Sequence, residues 1–141
     1  MEEMTLPRKA LSQTEQNMLA YFETHDVKYV AEDGVFINMG TGETYKGRAE
    51  IGGMLHYIYH VAFDAKVQPI DYVITEDKAM VQGFFKGKHI GEFFGVPATN
   101  KNVEVPLCVT YELKDGLIQK ARIYMLAGVL VKQLTEDVVA S

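Results

Sequence analysis

The chain of 141 residues has the length of one domain, and its 48% hydrophobic and 23% charged residues suit a globular protein with a core. A net charge of -5 and a pI near 5.3 provide no cationic field, which argues against nucleic acid and anionic membranes as partners. The acidic, polar start lacks the basic region and apolar run of a signal peptide, so the sequence predicts a cytoplasmic protein.

Residues 1–10 show no periodic pattern and are predicted to form a flexible arm, with residues 11–141 as a single domain. No linker, repeat or low-complexity stretch divides the chain. The single cysteine, Cys108, lies in an apolar run, which excludes an intrachain disulfide and predicts a buried, inert thiol rather than a nucleophile.

A first helix is predicted over about 12–25. Ser12 and Glu15 have the spacing of a capping box. An apolar stripe at helical spacing follows: Met18, Leu19 and Phe22. His25 falls in the last turn, where the helix dipole favours a charged imidazole, so the sequence assigns it a helix-ending role.

The segment 27–39 mixes apolar and polar residues around an Asp-Gly pair. This pattern predicts an extended stretch, a turn at Asp33-Gly34 and a strand over 34–39. A glycine-rich loop follows.

A second helix is predicted from Arg48 to about 61. Four apolar residues fall on one of its faces: Ile51, Leu55, Ile58 and Ala62. His56 and His60 have the i, i+4 spacing of metal ligands. They lie opposite the apolar stripe, and Tyr57 stands where a metalloprotease motif has glutamate, so we expect a surface pair and no metal.

From residue 67 onward the apolar residues recur with period two. The strand-like runs are 67–75, 78–85, 89–95, 102–113 and 117–126. The turn at 75–78 and the Asp115-Gly116 pair predict hairpin connections. Two helices followed by a strand meander predict an α+β fold with a curved antiparallel sheet wrapped around the N-terminal helices.

Two of the predicted strands look apolar on both faces. These are the runs 105–109 and 123–127. Because helices would cover only one face of the sheet, the sequence predicts a homodimer through the outer sheet face.

Several classes of chemistry have no motif in this chain. Its glycines match neither a phosphate-binding loop nor a dinucleotide fingerprint, and no Gly-x-Ser-x-Gly elbow is present. The sequence therefore predicts no cofactor and no covalent acyl transfer. Acid/base chemistry by isolated polar side chains in an apolar cavity remains, because burial can move a pKa toward neutrality.

His89 is the best acid/base candidate in the sequence. It stands among phenylalanines, and strand alternation places it on the same face as Gly91 and Phe93. The alternative is a core histidine hydrogen-bonded to a neighbouring strand, and the sequence leaves both open.

The segment from His89 to Lys101, HIGEFFGVPATNK, resembles the His-x-Gly-x-Phe-x-Gly-x-Pro-x-Thr-Gly-Lys signature of SnoaL-like polyketide cyclases, within the nuclear-transport-factor-2-like superfamily. Asn100 replaces the glycine of that signature, and asparagine also tolerates a left-handed backbone. The likeness covers about residues 15–134, with further matching positions at 45–51, 115–118 and 133–134.

The resemblance implies a cone-shaped, cystatin-like α+β barrel and an aldol ring closure that needs no metal or cofactor. The family's acid/base aspartate on the last strand has no counterpart here, since residues 122–126 include no carboxylate. His89 matches the signature histidine. By analogy of fold, the pocket wall is expected to include Tyr29, Asn38, Tyr59 and Phe93.

The resulting hypothesis is a cyclase or isomerase that acts on a small apolar carbonyl compound. His89 would be the acid/base group, Tyr124 would donate a hydrogen bond to an enolate, and Arg122 would pair with a substrate oxygen. A surface cross-strand pair is the alternative for Arg122 and Tyr124. A module of the same fold that binds a ligand or dimerises without turnover also remains open.

Overall fold

The computed structural model describes residues 12–136, so the predicted arm at 1–10 lies outside the described residues. Residues 12–136 contain three α-helices: α1 (Gln13–Thr24), α2 (Gly47–His56) and α3 (Ala127–Thr135). The six strands are β1 (Val30–Asn38), β2 (Thr44–Lys46), β3 (Phe63–Ile74), β4 (Lys78–His89), β5 (Asn102–Lys114) and β6 (Leu117–Met125).

Helix α1 begins at the predicted capping box. The Glu15 backbone N–H donates to Ser12 Oγ over 3.1 Å, and the Ser12 backbone N–H donates to Glu15 Oε1 over 3.0 Å. These two bonds satisfy backbone donors that the first helical turn leaves unpaired. The helix buries Met18 and Phe22 of the predicted stripe, together with Tyr21, while Leu19 is only partly buried.

The predicted second helix extends to residue 61 in two parts. Helix α2 ends at His56, and a π-helical turn continues from Tyr57 to Val61. Ile51 and Leu55 are buried, as the predicted apolar face requires. A π-helical turn widens the backbone and is often found at functional sites.

The strands form one curved, open sheet in the order β2-β1-β6-β5-β4-β3. The prediction of an antiparallel sheet was wrong for one pair, because β1 and β6 run parallel. A short hairpin forces neighbouring strands to be antiparallel, whereas β1 and β6 are separated by most of the chain. The sheet is therefore mixed: β1 and β6 are parallel, and the other neighbouring strands are antiparallel.

The two predicted hairpin turns are present. Thr75 N–H donates to Lys78 O over 2.7 Å between β3 and β4. Asp115 and Gly116 have φ values of 53° and 78° between β5 and β6. Positive φ at both positions is typical of the type I′ two-residue hairpin turn.

The predicted turn at Asp33-Gly34 is wrong, because β1 continues through it. The register of β1 against β6 shifts between Val30 and Val35. Gly34 lies in this irregular stretch, where an added Cβ would be 2.7 Å from Val30 Cγ1. The glycine therefore marks a close approach within a strand.

The predicted strand over 89–95 is also wrong, because β4 ends at His89 and a loop follows to residue 101. At Gly91 an added Cβ would lie 2.4 Å from the carbonyl oxygen of Val61, so this glycine packs directly on the π-helical turn. Further along, Phe94 and Gly95 have positive φ, which strand backbone does not adopt. Tertiary contacts override the β propensity of the phenylalanines here.

The sequence did not predict α3. Leu130 and Leu134 are buried, and the Gln133 side chain exchanges hydrogen bonds of 2.9 Å with both the N–H and the carbonyl of Glu104. These bonds fix α3 along β5. The inner sheet face buries alternate residues of β4 and β5, and the helices cover that face.

Candidate functional site

An apolar cavity of about 300 Å³ lies between the inner sheet face and the helices. Ten of its lining residues are phenylalanine or tyrosine. They come from α1, from the π-helical turn, from four strands and from the loop after β4. A concave, mostly apolar space with a few polar groups is the usual form of a small-molecule site.

Three buried tyrosine hydroxyls belong to the polar part of the cavity wall, which also includes Asn38 and Glu43. Tyr21 lies on α1, Tyr59 on the π-helical turn and Tyr111 on β5. Burial raises the pKa of all three above the ordinary value of 10.0, so the hydroxyls stay protonated. Within residues 12–136 these hydroxyls have no hydrogen-bond partner. They are available to donate to an oxygen atom of a bound molecule.

His25 is the histidine that lines this cavity. It ends α1 with a left-handed backbone at φ 53°, and its ring stacks on Tyr59 with centroids 4.4 Å apart. Burial, and to a smaller extent the charge of His60, lowers the pKa of His25 to about 4. The imidazole is therefore neutral near pH 7. No hydrogen bond to its ring nitrogens occurs in the described part of the chain.

Sequence reasoning assigned His25 only a helix-ending role. The expectation of a charged imidazole in the last turn was wrong, because burial favours the neutral form. One signal was available: His25 follows Met18 by seven positions, so it continues the face formed by Met18, Tyr21 and Phe22. A histidine on an apolar helical face is directed toward the interior.

His89 is not among the cavity-lining residues. Its side chain is fully buried, and Nδ1 accepts a hydrogen bond of 3.2 Å from the Thr99 N–H and lies 3.0 Å from Thr99 Oγ1. Its ring contacts Phe63, which in turn contacts the wall residues Phe85 and Phe93. His89 thus lies one side chain behind the wall and ties the loop after β4 to the end of that strand.

One atom of His89 has no hydrogen bond. Nε2 is buried without a partner in the described residues. Since His89 is not among the residues that line the cavity, this atom is not one of the polar groups of the cavity wall.

Arg122 and Tyr124 lie on the outer face of the sheet. Their neighbours on β6, Ile123 and Met125, line the cavity, and successive strand residues point to opposite faces. Arg122 Nη1 pairs with Glu112 Oε2 at 2.7 Å across the strands. The Tyr124 side chain is 45% exposed. The structure therefore does not bring these two residues to the cavity.

Three of the four expected wall residues do line the cavity: Asn38, Tyr59 and Phe93. Tyr29 does not; it packs against the core, and Lys28 Nζ lies 5.2 Å from its ring centre. Asn38 Oδ1 accepts bonds from Gly40 N–H and Thr41 N–H, which holds the turn before β2. That these residues bind a ligand stays a prediction.

The histidine pair on the second helical segment is exposed. The rings of His56 and His60 are 5.5 Å apart. Across residues 12–136, no group of three or more His, Cys, Asp or Glu side chains is arranged to hold a metal ion. No helix in this range is long and apolar enough to cross a membrane.

The helices, the open cone of strands and the aromatic cavity define a cone-shaped α+β fold with an internal cavity. The model of the SnoaL-like polyketide cyclase family matches residues 14–134. The chain belongs to this family. A search of curated protein sequences finds no match.

Several solved structures share the fold. A proposed SnoaL-like polyketide cyclase from Jannaschia sp. CCS1 has a TM-score of 0.79 and 18% identity, and the match covers 94% of this chain and 99% of the other. IdmH, a proposed polyketide cyclase from Streptomyces antibioticus, has a TM-score of 0.72 and 20% identity over 89% and 100%.

A third structure has a different proposed activity. AclR from Streptomyces galilaeus, a proposed hydroxylase, has a TM-score of 0.73 and 18% identity over 86% of this chain and 95% of its own. At these identities the similarity establishes the fold. The reaction has to be argued from the cavity itself.

Proposed function

We propose that this protein is a cofactor-independent acid/base enzyme of cyclase or isomerase type that acts on a small apolar carbonyl compound bound in the cavity. Membership of the SnoaL-like polyketide cyclase family supports the class. The observation that carries the proposal is His25, which presents unpaired ring nitrogens beside tyrosine hydroxyls in an apolar space.

In this proposal His25 is the general base. Its imidazole is neutral near pH 7 and so has a lone pair able to accept a proton from the carbon next to a carbonyl. A pKa of about 4 makes an isolated imidazole a weak base. The enolate formed by the proton transfer is an anion next to the new imidazolium, and their attraction offsets the cost of charging a buried histidine.

The tyrosine hydroxyls stabilise the negative charge on the enolate oxygen. Tyr59 stacks on His25, and the Tyr21 ring is 5.1 Å from the His25 ring, so donors and base share one wall. The raised pKa of Tyr21 and Tyr59 keeps both as donors. Such preorganised donors lower a barrier because they do not reorganise during the reaction.

The roles first assigned to His89, Arg122 and Tyr124 move to other residues. His89 is separated from the cavity by Phe63, and the other two face the opposite side of the sheet. Within the proposal His89 holds the loop that carries Phe93 into the wall, and no charged residue of β6 takes part in the chemistry.

Deuterium exchange at an acidic carbon tests the proposal without knowledge of the natural substrate. The protein would be incubated with 2-tetralone, a small apolar ketone, in D₂O, and loss of the α-proton signal would be followed by NMR. We expect an acceleration of about 100-fold or more over buffer, the usual contribution of a positioned base. His56→Asn, on the exposed surface, is the matched control and should keep the full rate.

The same experiment separates the enzyme from a module that binds without turnover. Wild-type protein that binds 2-tetralone, as followed by shifts of its own NMR signals, yet leaves the exchange rate at the buffer value would overturn the proposal. The binding module would then be the better account of the cavity.

We also propose a homodimer formed through the outer sheet face. An outer apolar patch there comprises Met80, Phe84, Pro106, Cys108 and Tyr124. Met80 is 42% and Tyr124 45% exposed. The strand register pairs Phe84 with Pro106 and Cys108 with Tyr124, and places Met80 opposite Thr110. Gln82 lies opposite Cys108, and the Arg122–Glu112 ion pair lies beside the patch, so apolar side chains alternate with polar groups that a partner could bind.

A further inference from the structure

We propose that Phe94 is a specificity-determining residue whose ring covers the opening of the cavity and contacts the outer side of a bound planar, apolar ligand. This inference rests on the proposed function only in that the cavity binds an apolar molecule. It assigns a role to a residue that the family-like signature leaves variable.

Phe94 is both exposed to solvent and part of the cavity wall. Its side chain is 53% exposed, and yet it lines the cavity. A residue can satisfy both conditions only where the cavity meets solvent. Tyr57, also a lining residue and 38% exposed, belongs to the same region through its ring contact with Phe93.

The backbone of Phe94 is in a conformation that disfavours a large side chain. Phe94 has φ 51° and Gly95 φ 77°, between two hydrogen bonds that join Phe93 and Val96 at 3.0 and 2.8 Å. This is a two-residue turn with positive φ at both central positions, for which asparagine and glycine are preferred. Phenylalanine there costs stability, as bulky residues with positive φ do.

Two hydrogen bonds hold this turn in place. The Gly95 N–H donates to Glu92 Oε2 over 2.6 Å, and the Tyr57 hydroxyl donates to the Glu92 carbonyl oxygen. Tyr57 begins the π-helical turn, so the turn at Phe94 is tied to the helical side of the cavity. The turn that carries the Phe94 ring is therefore attached to the helical side of the cavity.

The protein itself leaves a large part of the Phe94 ring uncovered. Its ring contact is with Phe93, whose centroid is 4.4 Å away. About half of the side chain faces solvent or the cavity. An aromatic ring in a disfavoured conformation with so little burial is explained if a bound molecule supplies the missing apolar contact.

The aromatic wall indicates the shape of that molecule. Phe93 and Phe94 are tilted by 45° to each other and present adjacent faces and edges. A flat, apolar ring system could contact both rings, and Tyr21, Tyr59 and His25 of the same cavity offer polar partners for its oxygen atoms. Ligands that lack a ring at the opening would lose the contact with Phe94 and dissociate faster.

The test uses the fluorescent aromatic ketone prodan, whose emission shifts to the blue in an apolar site, with thermal unfolding measured in parallel. Phe94→Asn removes the ring and suits positive φ. We expect it to raise Tm by about 2 to 4 °C and to weaken prodan binding about tenfold, mostly through faster dissociation. Phe94→Tyr keeps the ring and should restore the affinity.

Asn100→Gly is the matched control, because Asn100 also has positive φ in the same loop but does not line the cavity. It should leave prodan affinity unchanged. Affinity of Phe94→Asn within twofold of wild type would overturn the inference, and so would a lower Tm, which would mean that the ring serves the fold. Wild-type protein without prodan affinity would reject it as well. Failure of the proposed chemistry is a separate result, in which prodan binds normally and 2-tetralone exchanges no deuterium.

Discussion

At the scale of single residues, His25 has the environment that matters most. Ring stacking on Tyr59 and an edge contact with Tyr21 remove the imidazole from water without giving it a hydrogen-bond partner among the described residues. Desolvation therefore favours the neutral base. His25, which ends α1, thus adds a neutral imidazole to the wall of the aromatic cavity.

This environment predicts how stability depends on pH. The pKa of His25 is about 4 in the folded protein and 6.5 when unperturbed, so the unfolded chain binds the proton first as pH falls. The stability associated with neutral His25 is complete above about pH 6.5 and is lost as pH falls toward 4, by at most about 3 kcal/mol. Urea unfolding at pH 4.5 and 7 measures this loss.

His25→Asn is the matched variant for that measurement, because asparagine tolerates the left-handed backbone at this position. It should lose less stability than wild type between the two pH values, while His56→Asn should behave like wild type. An equal loss in wild type and His25→Asn would show that His25 is not a buried neutral histidine.

At the scale of elements, the loop from residue 90 to 101 is positioned by contacts at its two ends. His89 receives the Thr99 N–H at one end, and Gly91 packs on Val61 near the other. Between them Phe93 and Phe94 enter the cavity wall. The segment that resembles the family signature thus contributes Phe93 and Phe94 to the cavity wall. Its histidine, His89, holds the loop by a hydrogen bond and does not line the cavity.

This role of His89 gives a prediction opposite to that for a catalytic base. His89→Ala should lower the free energy of unfolding by about 2 to 4 kcal/mol, because it removes a fully buried ring and a hydrogen bond. Urea unfolding provides the measurement. Unchanged stability together with abolished deuterium exchange would return the acid/base role to His89.

Local signals in the sequence predicted the parts of the fold that depend on neighbours in the chain. The capping box at Ser12 and the positive-φ pair Asp115-Gly116 are examples. No local pattern predicted the parallel pairing of β1 with β6 or the packing of α3 on β5, because both depend on contacts between residues far apart in sequence.

The candidate site was predicted less well than the fold, for the same reason. The sequence correctly placed Phe93 and Tyr59 on the cavity wall. The signature pointed to His89, but His89 does not line the cavity and packs on Phe63, which belongs to β3. His25 required knowledge of what its helix face packs against. A pattern identifies which face is apolar, while the packing decides which polar group the cavity contains.

At the scale of the whole molecule, the two faces of the sheet differ in what they contact. Its inner face lines the cavity, and its outer face carries the apolar patch that includes Met80 and Tyr124. An exposed apolar patch with a polar rim is typical of a protein interface. A dimer through this patch would leave the cavity in each copy untouched.

The dimer is tested by gel filtration with light scattering at micromolar concentration. We expect a mass of two chains for wild type and of one chain for Tyr124→Glu, because a carboxylate in the apolar patch would be buried without a partner. Gln13→Glu, exposed in the first turn of α1 and away from the sheet, adds the same single charge and serves as the control. A monomeric wild type would contradict the proposal, and circular dichroism would check that each variant is folded.

The central claim is that the cavity performs acid/base chemistry through His25. The measurement that tests it most directly is the rate of deuterium incorporation into saturating 2-tetralone by wild type and by His25→Asn. The account predicts a loss of about 100-fold or more in the variant, with prodan affinity changed less than tenfold. A His25→Asn protein that exchanges deuterium at the wild-type rate would contradict it.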